Sequence, residues 1–302
     1  MTPCHFESIN HFEPTLRGLV ARTRSLESHR SDHLNLAFEE TGQGWPVVFV
    51  HGWGDSSAIW KETVADLSSD FRCIVLDLPG HGDSPAGQGP WSIKTLTAPV
   101  QILMGALGIT AATIVGHSMG GVVALQLASE HPELVKRLVL VNVPTCGQWS
   151  RTFFTLLSTR LGSCLVGMAQ AGARLLARFT PHLPGKDSPF LRWNESIAHT
   201  DTHVLYETLR DMSDRSCQPQ LMRVQVPTLI IAGSKDIVVP PRMARRIAAG
   251  IPRARLASIP GASHTPMLER PAYFLRTLRD FLASRYRQSP ASPWVSGYLP
   301  AR

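Results

Sequence analysis

The sequence predicts an α/β fold: a mainly parallel, twisted sheet flanked by helices on both faces, with one helical insertion. Three observations carry this. Short apolar runs alternate with segments of helical periodicity along most of the chain. The runs are rich in Val and Ile and lack polar alternation, which suits strands buried on both faces. The rhythm breaks once, between Pro144 and Met222, where helical segments occur without a convincing strand. Strands alternating with helices imply βαβ units with right-handed crossovers.

In chain order, residues 1–33 are polar and of mixed charge. They read as a loosely attached N-terminal extension with a short helix near Thr15–Arg24. Leu34–Glu39 alternates as a half-buried strand does, and the turn cluster Thr41–Pro46 joins it to the next. The buried runs are Val47–Val50, Cys73–Leu76, Ala112–Val115, Leu138–Val143, Thr228–Ala232 and Arg255–Ile259. Helical patterns lie between and after them at Ala58–Leu67, Ile93–Leu107, Met119–Glu130, Pro241–Ala249 and Tyr273–Arg285. Within the insertion, helices are expected at Trp149–Ser158, Leu161–Phe179 and Asp201–Met212, punctuated by Pro181, Pro184 and Pro189. The expected division is a core of residues 34–143 and 223–287, a helical cap of 144–222, and a frayed tail of 288–302 rich in Pro and Ser.

Composition bounds the function. The chain has 302 residues, 43% hydrophobic and 18% charged, as an ordinary globular protein does. Net charge is +7, unevenly placed: residues 237–302 hold eleven Arg against two acids, whereas 36–143 hold five bases against ten acids. The basic end reads as an Arg-rich solvated helix face, with no aromatic interleaving or groove-reading motif to suggest nucleic acid. The most apolar stretch, Thr152–Ala173, is interrupted by Arg160, so no stable membrane insertion is expected. No secretory signal is read at the amino terminus. Five cysteines lack CxxC spacing, and a reduced cytoplasmic setting is expected. No cofactor is expected: metal motifs, GxGxxG and the P-loop lysine are all missing from the sequence.

The strongest chemical signal is Gly116-His117-Ser118-Met119-Gly120-Gly121, between a predicted strand and a predicted helix. A serine on so sharp a turn is held in a strained conformation that projects its hydroxyl above the sheet edge. The flanking glycines let strand and helix approach closely. Asp236 follows the strand Thr228–Ala232 through Gly233-Ser-Lys, at the carboxyl end where open α/β sheets place their chemistry. His264 lies in the loop Pro260–Pro266, where a histidine has the freedom to serve as a base. The order Ser118, Asp236, His264 suits a nucleophile, an orienting acid and a general base on this fold. Asn142 ends the preceding strand and cannot act as an anion, which favours Asp236 as the acid.

These motifs, with His51-Gly-Trp-Gly54 and Asp77–Ser84, resemble the α/β-hydrolase superfamily in the branch of small serine esterases with an inserted cap, from about Leu34 to Arg285. The resemblance implies an oxyanion hole formed by the backbone N–H groups of Trp53 and Met119, and structural roles for Asp77, His81 and Asp83. His51, upstream of the elbow, reads as structural. Ser118 sets the chain apart from dehalogenases and epoxide hydrolases, which carry aspartate at the elbow, and implies an acyl-enzyme path. In the cap, Trp149, Phe153, Phe154, Leu157, Leu161 and Met168 fit one apolar helical face packed on the sheet. Trp149, Phe153 and Phe154 are expected to line the acyl pocket. The expected partner is a small apolar acyl substrate: an ester, thioester or lactone. Carbon–carbon bond hydrolysis, cofactor-free perhydrolysis and slow-turnover ligand reception remain open on the same residues; the first is disfavoured by His117, where such enzymes usually have Asn. Oligomeric state is not read from the sequence.

Overall fold

The computed structural model describes residues 22–26, 36–144, 159–180, 188–214 and 221–284. Among them, eight strands form one sheet in the order β1-β2-β4-β3-β5-β6-β7-β8. The strands are β1 Arg22–Leu26, β2 Leu36–Thr41, β3 Trp45–Val50, β4 Phe71–Leu76, β5 Ala112–His117, β6 Val135–Val141, β7 Thr228–Gly233 and β8 Ala254–Ile259. From β4 to β8 every pairing is parallel; β1–β2 and β2–β4 are antiparallel. The chain leaves β3 for β4 on one side and later returns to β5 on the other, which makes the β3–β5 junction a topological switch point.

The central strands are buried on both faces, and successive side chains feed two cores. Val48 and Val50 join one core with Leu103 of α2 (Thr97–Ala106), Val122 of α3 (Met119–Glu130) and Ile247 of α7 (Pro241–Gly250). Val47 and Phe49 join the other, with Trp60, Leu67 of α1 (Lys61–Leu67) and Phe274 and Leu278 of α9 (Pro271–Ala283). Cys73 lies in this second core, where burial pushes its thiol up to about 12. On α7, Arg242, Arg245 and Arg246 face outward while Met243, Ala244 and Ile247 are buried, an amphipathic arrangement.

Between β6 and β7 lie α4 (Arg160–Ala177), α5 (Pro189–His199) and α6 (Thr202–Asp214), which share a small core of Val166, Ala173, Ile197, Ala198, Leu205 and Leu209. A short helix, α8 (Pro266–Glu269), precedes α9.

Several expectations change. Residues 22–24, expected in a helix, belong to β1, which pairs along its whole length with β2 and so joins the sheet. The remainder of the expected helix lies outside the described residues, as do Trp149–Ser158 and the tail. The strand expected at Leu34–Glu39 runs from Leu36 to Thr41. The helix expected from Ile93 begins at Thr97, after a turn in which the Ser92 and Thr95 hydroxyls accept from each other's backbone N–H. The run ending at Val143 stops pairing at Val141, where Asn142 turns to a φ of 46°. β8, expected to be buried, is largely half-exposed because it is the edge strand. Pro189 opens a helix: Ser188 caps it by accepting from Leu191 N–H, and proline at the first turn lacks only a donor that the helix would leave unused. Leu161 and Met168, expected beneath the cap, are 59% and 70% exposed. The buried face of α4 runs instead through Val166, Gln170 and Ala173. There the Gln170 amide donates to the Ile197 and Thr200 carbonyls. A polar side chain with buried partners has chosen the face.

α3 packs closely against the end of β3. A β-carbon on Gly120 would lie 2.2 Å from His51 O and 2.5 Å from Val50 O, both backbone atoms with no freedom to yield. Gly120→Ala is therefore expected to lower stability by about 3 kcal/mol, roughly 6–12 °C in thermal unfolding. An unchanged melting temperature would contradict this packing.

Candidate functional site

β5 ends at His117 and α3 begins at Met119, so Ser118 alone makes the turn, at φ 50° and ψ −118°. A non-glycine residue at positive φ costs about 1–3 kcal/mol and needs its surroundings to hold it. Ser118 N–H donates to Val141 O at 2.9 Å, and its carbonyl accepts from Gly121 N–H at 3.0 Å. A β-carbon on Gly116 would lie 2.4 Å from Gly120 O, so only glycine fits beneath the turn. Ser118 is half-buried and projects at the carboxyl edge of the sheet, beside the switch point.

The structure brings the three candidate residues together although 118 to 146 positions separate Ser118 from the other two. His264 Nε2 is 3.2 Å from Ser118 Oγ, and His264 Nδ1 is 2.8 Å from Asp236 Oδ2. Only one neutral tautomer serves both bonds: Nδ1–H donates to the carboxylate and Nε2 accepts from the hydroxyl. The Asp236 side chain is fully buried, and its Oδ1 accepts from Val238 and Val239 N–H at 2.8 Å each. The His264 side chain is 23% exposed.

The two expected oxyanion donors belong to the residue after Ser118 and to the loop after β3. Met119 is the first residue of α3, so no helical carbonyl can take its N–H. Trp53 follows Gly52, where a β-carbon would lie 3.3 Å from Ser118 Cβ. The Gly52–Trp53 peptide is oriented through its oxygen, which accepts from His51 Nδ1–H at 2.8 Å and Asp55 N–H at 3.3 Å. A trans peptide points its N–H the opposite way. His51 can do this only as the neutral ring, because its Nε2 accepts from Leu78 N–H at 2.9 Å; burial lowers it to about 4. Neither Trp53 nor Met119 N–H donates to another described residue.

Residues not singled out as functional in the sequence hold the loops. Asn142 donates from its amide to the carbonyls of Ser263 and His264, at 2.8 Å each, and accepts from Gly233 N–H at 2.8 Å. It thereby ties the His264 loop to the end of β7, just before Asp236. His117 Nε2–H donates to His264 O at 2.9 Å, with its ring 4.9 Å from the His264 ring. Glu269 accepts from Ser263 and Thr265 N–H at 2.7 and 2.9 Å, fixing both neighbours of His264. Asp55 is buried two residues after Trp53. Burial drives its carboxyl up to about 7 against the opposing pull of Ser56 N–H, which donates to it at 2.9 Å, and of His264. A lone acid in an apolar, glycine-rich loop is the sequence signal that marks it.

Asp77 takes Ser57 N–H at 2.7 Å and Asp83 N–H at 2.9 Å, and His81 is fully enclosed, so this turn is braced from within. Trp149, Phe153 and Phe154 lie outside the described residues. A cavity of about 640 Å³ opens between Gly80–Ala86 and the Arg174 and His199–His203 side of the insert, and none of Ser118, Asp236 or His264 lines it. No described helix is long and apolar enough to cross a membrane.

A strained serine at a switch point, bonded to a histidine that is in turn bonded to a buried aspartate, defines an α/β protein with a serine-centred site. The family model for the alpha/beta hydrolase fold matches residues 46–271, and the chain belongs to that family. BpoC of Mycobacterium tuberculosis, which carries a provisional name as a non-heme bromoperoxidase, is 31% identical over 262 residues, covering 83% of this chain and 98% of its own. A pimeloyl-[acyl-carrier protein] methyl ester esterase of Neisseria meningitidis is 28% identical, covering 84% of this chain and 82% of its own. The crystal structure of the enol-lactonase from Burkholderia xenovorans superposes with a TM-score of 0.69 at 26% identity, covering 83% of this chain and 97% of that one.

Asn142→Asp keeps the shape and a residue type that tolerates positive φ, but turns the nitrogen that donates to both carbonyls into an oxygen facing them. It is expected to lose about 2–3 kcal/mol of stability, measured by urea unfolding at neutral pH. A second expectation concerns acid. Burial lowers His51 to about 4 and both His81 and His117 to about 3, so below about pH 6.5 the unfolded chain binds three protons that the fold refuses. Stability from these groups falls as pH drops from about 6.5 towards 4. Asp55 acts oppositely: its raised value makes the fold hold a proton that the unfolded chain releases between about pH 4 and 7. Replacing it as Asp55→Asn should steepen the acid loss from about two net protons to about three. Unfolding free energies at several pH values check this; equal slopes would contradict a neutral Asp55.

Proposed function

We propose that this chain is a serine hydrolase that cleaves a small-to-medium apolar carboxylic ester, thioester or lactone through an acyl-enzyme. The observation that carries the reading is the continuous hydrogen-bond path from Ser118 Oγ through His264 to Asp236. The family membership and the esterase and lactonase names among similar proteins support it.

In this reading Ser118 Oγ attacks the acyl carbon while its proton passes to His264 Nε2. Asp236, shielded from water, keeps Nδ1–H as donor and stabilises the imidazolium that forms. The carbonyl π pair moves onto oxygen, and the N–H groups of Trp53 and Met119, aided by the amino end of α3, receive that charge. Collapse breaks the bond to the leaving group, which takes the proton from Nε2. Water then gives its proton to His264, attacks the acyl carbon, and releases the acid with Ser118 restored. The helices α4–α6 act as the cap above this edge.

A second reading is favoured by the BpoC likeness. The same acyl-enzyme, attacked by hydrogen peroxide in place of water, yields a peracid that oxidises halide. Peroxide-dependent bromination in acetate buffer would reveal it.

A fluorophosphonate probe is expected to label the wild-type protein, and Ser118→Ala to abolish labelling. Hydrolysis of nitrophenyl acetate or butyrate should fall by about 10⁶ in the same variant. Folded wild-type protein that is inert to both reagents, or a Ser118→Ala variant still labelled, overturns the assignment.

A further inference from the structure

The loop that follows β3 is stitched to the insert at every residue from Trp53 to Ser56. Trp193 of α5 donates its indole N–H to Trp53 O at 3.3 Å. Trp53 donates its own indole N–H to Leu205 O of α6 at 3.0 Å. Ile197 packs so closely on Gly54 that an added β-carbon would lie 3.0 Å from its side chain. The Ser196 hydroxyl lies close enough to Asp55 to favour its carboxylate, and Ser56 Oγ is 3.0 Å from Ser196 Oγ. Trp53 is thus held by the insert through both its main chain and its side chain, while its N–H is left for a ligand.

We propose that the insert sets the geometry of the oxyanion hole, with Trp193 as a positioning residue acting through Trp53. This rests on the acyl-transfer reading above. The Gly52–Trp53 peptide is aimed from the core side by His51, as described. On its far side the Trp53 ring packs against both the main core and the core of the insert, and among the described residues the hydrogen bonds of its carbonyl and indole N–H run to α5 and α6. Both sides of the Trp53 α-carbon must be fixed for its N–H to meet an oxygen at 2.7–3.1 Å. Seating of the insert and completion of the donor pair are therefore one event. An insert displaced from the sheet edge carries the Trp53 donor away while Ser118, His264 and Asp236 stay paired.

Losing a donor outright costs roughly 10²–10³ in rate, and a displaced one loses part of that. Trp193→Phe, which removes the indole N–H while keeping an aromatic ring, is expected to lower kcat for a nitrophenyl ester about 10- to 100-fold, with KM changed by less than about threefold. Affinity for an alkylboronic acid, which forms a tetrahedral anion on serine, should fall in parallel, while a planar carboxylic acid product binds as before. Trp53→Phe, which breaks the bond to Leu205 O, should move the same quantities the same way and serves if Trp193→Phe does not fold. An unchanged kcat in a folded variant, or a change confined to KM, overturns the proposal and leaves the acyl-transfer reading intact. A wild-type protein inert to ester and boronate alike overturns that reading, and this inference with it.

Discussion

The backbone of Ser118 is the constraint on which the site depends. A side chain at φ 50° and ψ −118° does not hold itself there; the strain is offset by what surrounds it. The offsets are particular. Val141 O fixes its N–H, the first turn of α3 takes its carbonyl, and glycines at 116, 120 and 121 let helix, turn and β3 lie closer than any β-carbon permits. The same closeness brings the loop after β3 against Ser118, so the constraint that raises the hydroxyl also places the Gly52–Trp53 peptide beside it. Geometry at one residue thus links the serine hydroxyl, the helix amino terminus and the loop after β3.

The histidine and aspartate are held by a different device, a polar lattice. Asn142 bonds two loops at once, and Glu269 and His117 fix the peptides on either side of the His264 ring. Buried polar groups of this kind gain rigidity only when nearly every member is satisfied. Here the His117 Nδ1 and His81 Nε2 atoms are buried without a partner among the described residues. Both rings are driven strongly towards the neutral form, which makes an orphaned nitrogen less costly than an orphaned charge. The site therefore stands on neutral imidazoles around His264, the histidine that the proposed mechanism protonates during turnover.

How much was legible in the sequence follows from which forces act locally. Val-rich runs bounded by glycine turns revealed β3–β7, because burial on both faces imposes composition directly. Ser118, Asp236 and His264 were legible because each sits at a strand end marked by its own turn. Asn142 was legible only as a residue that cannot be an anion: its use as a clamp depends on two loops more than 90 residues away. Pro189 read as a break because proline looks alike before a helix and inside a loop, and only the Ser188 cap distinguishes them. On α4 the apolar stripe through Leu161 and Met168 pointed to the wrong face, since periodicity reports that a helix has two faces and not which one is covered. Gln170, with carbonyl partners waiting on α5, decided it.

That inversion bears on what the insert contributes. A cap held chiefly by apolar contact slides with small loss, because dispersion and desolvation are non-directional. The insert here meets the loop after β3 through directional bonds from Trp193, Trp53 and Ser196 and packs Ile197 on a glycine, so displacement is closer to all-or-none. In the acyl-transfer reading proposed above, the core supplies attack and proton transfer, and the insert's registry decides whether charge on the substrate oxygen finds both donors. On that proposal, substrates that seat the insert well are favoured in the step that forms that charge, which converts fit at a distance from the bond into rate at the bond.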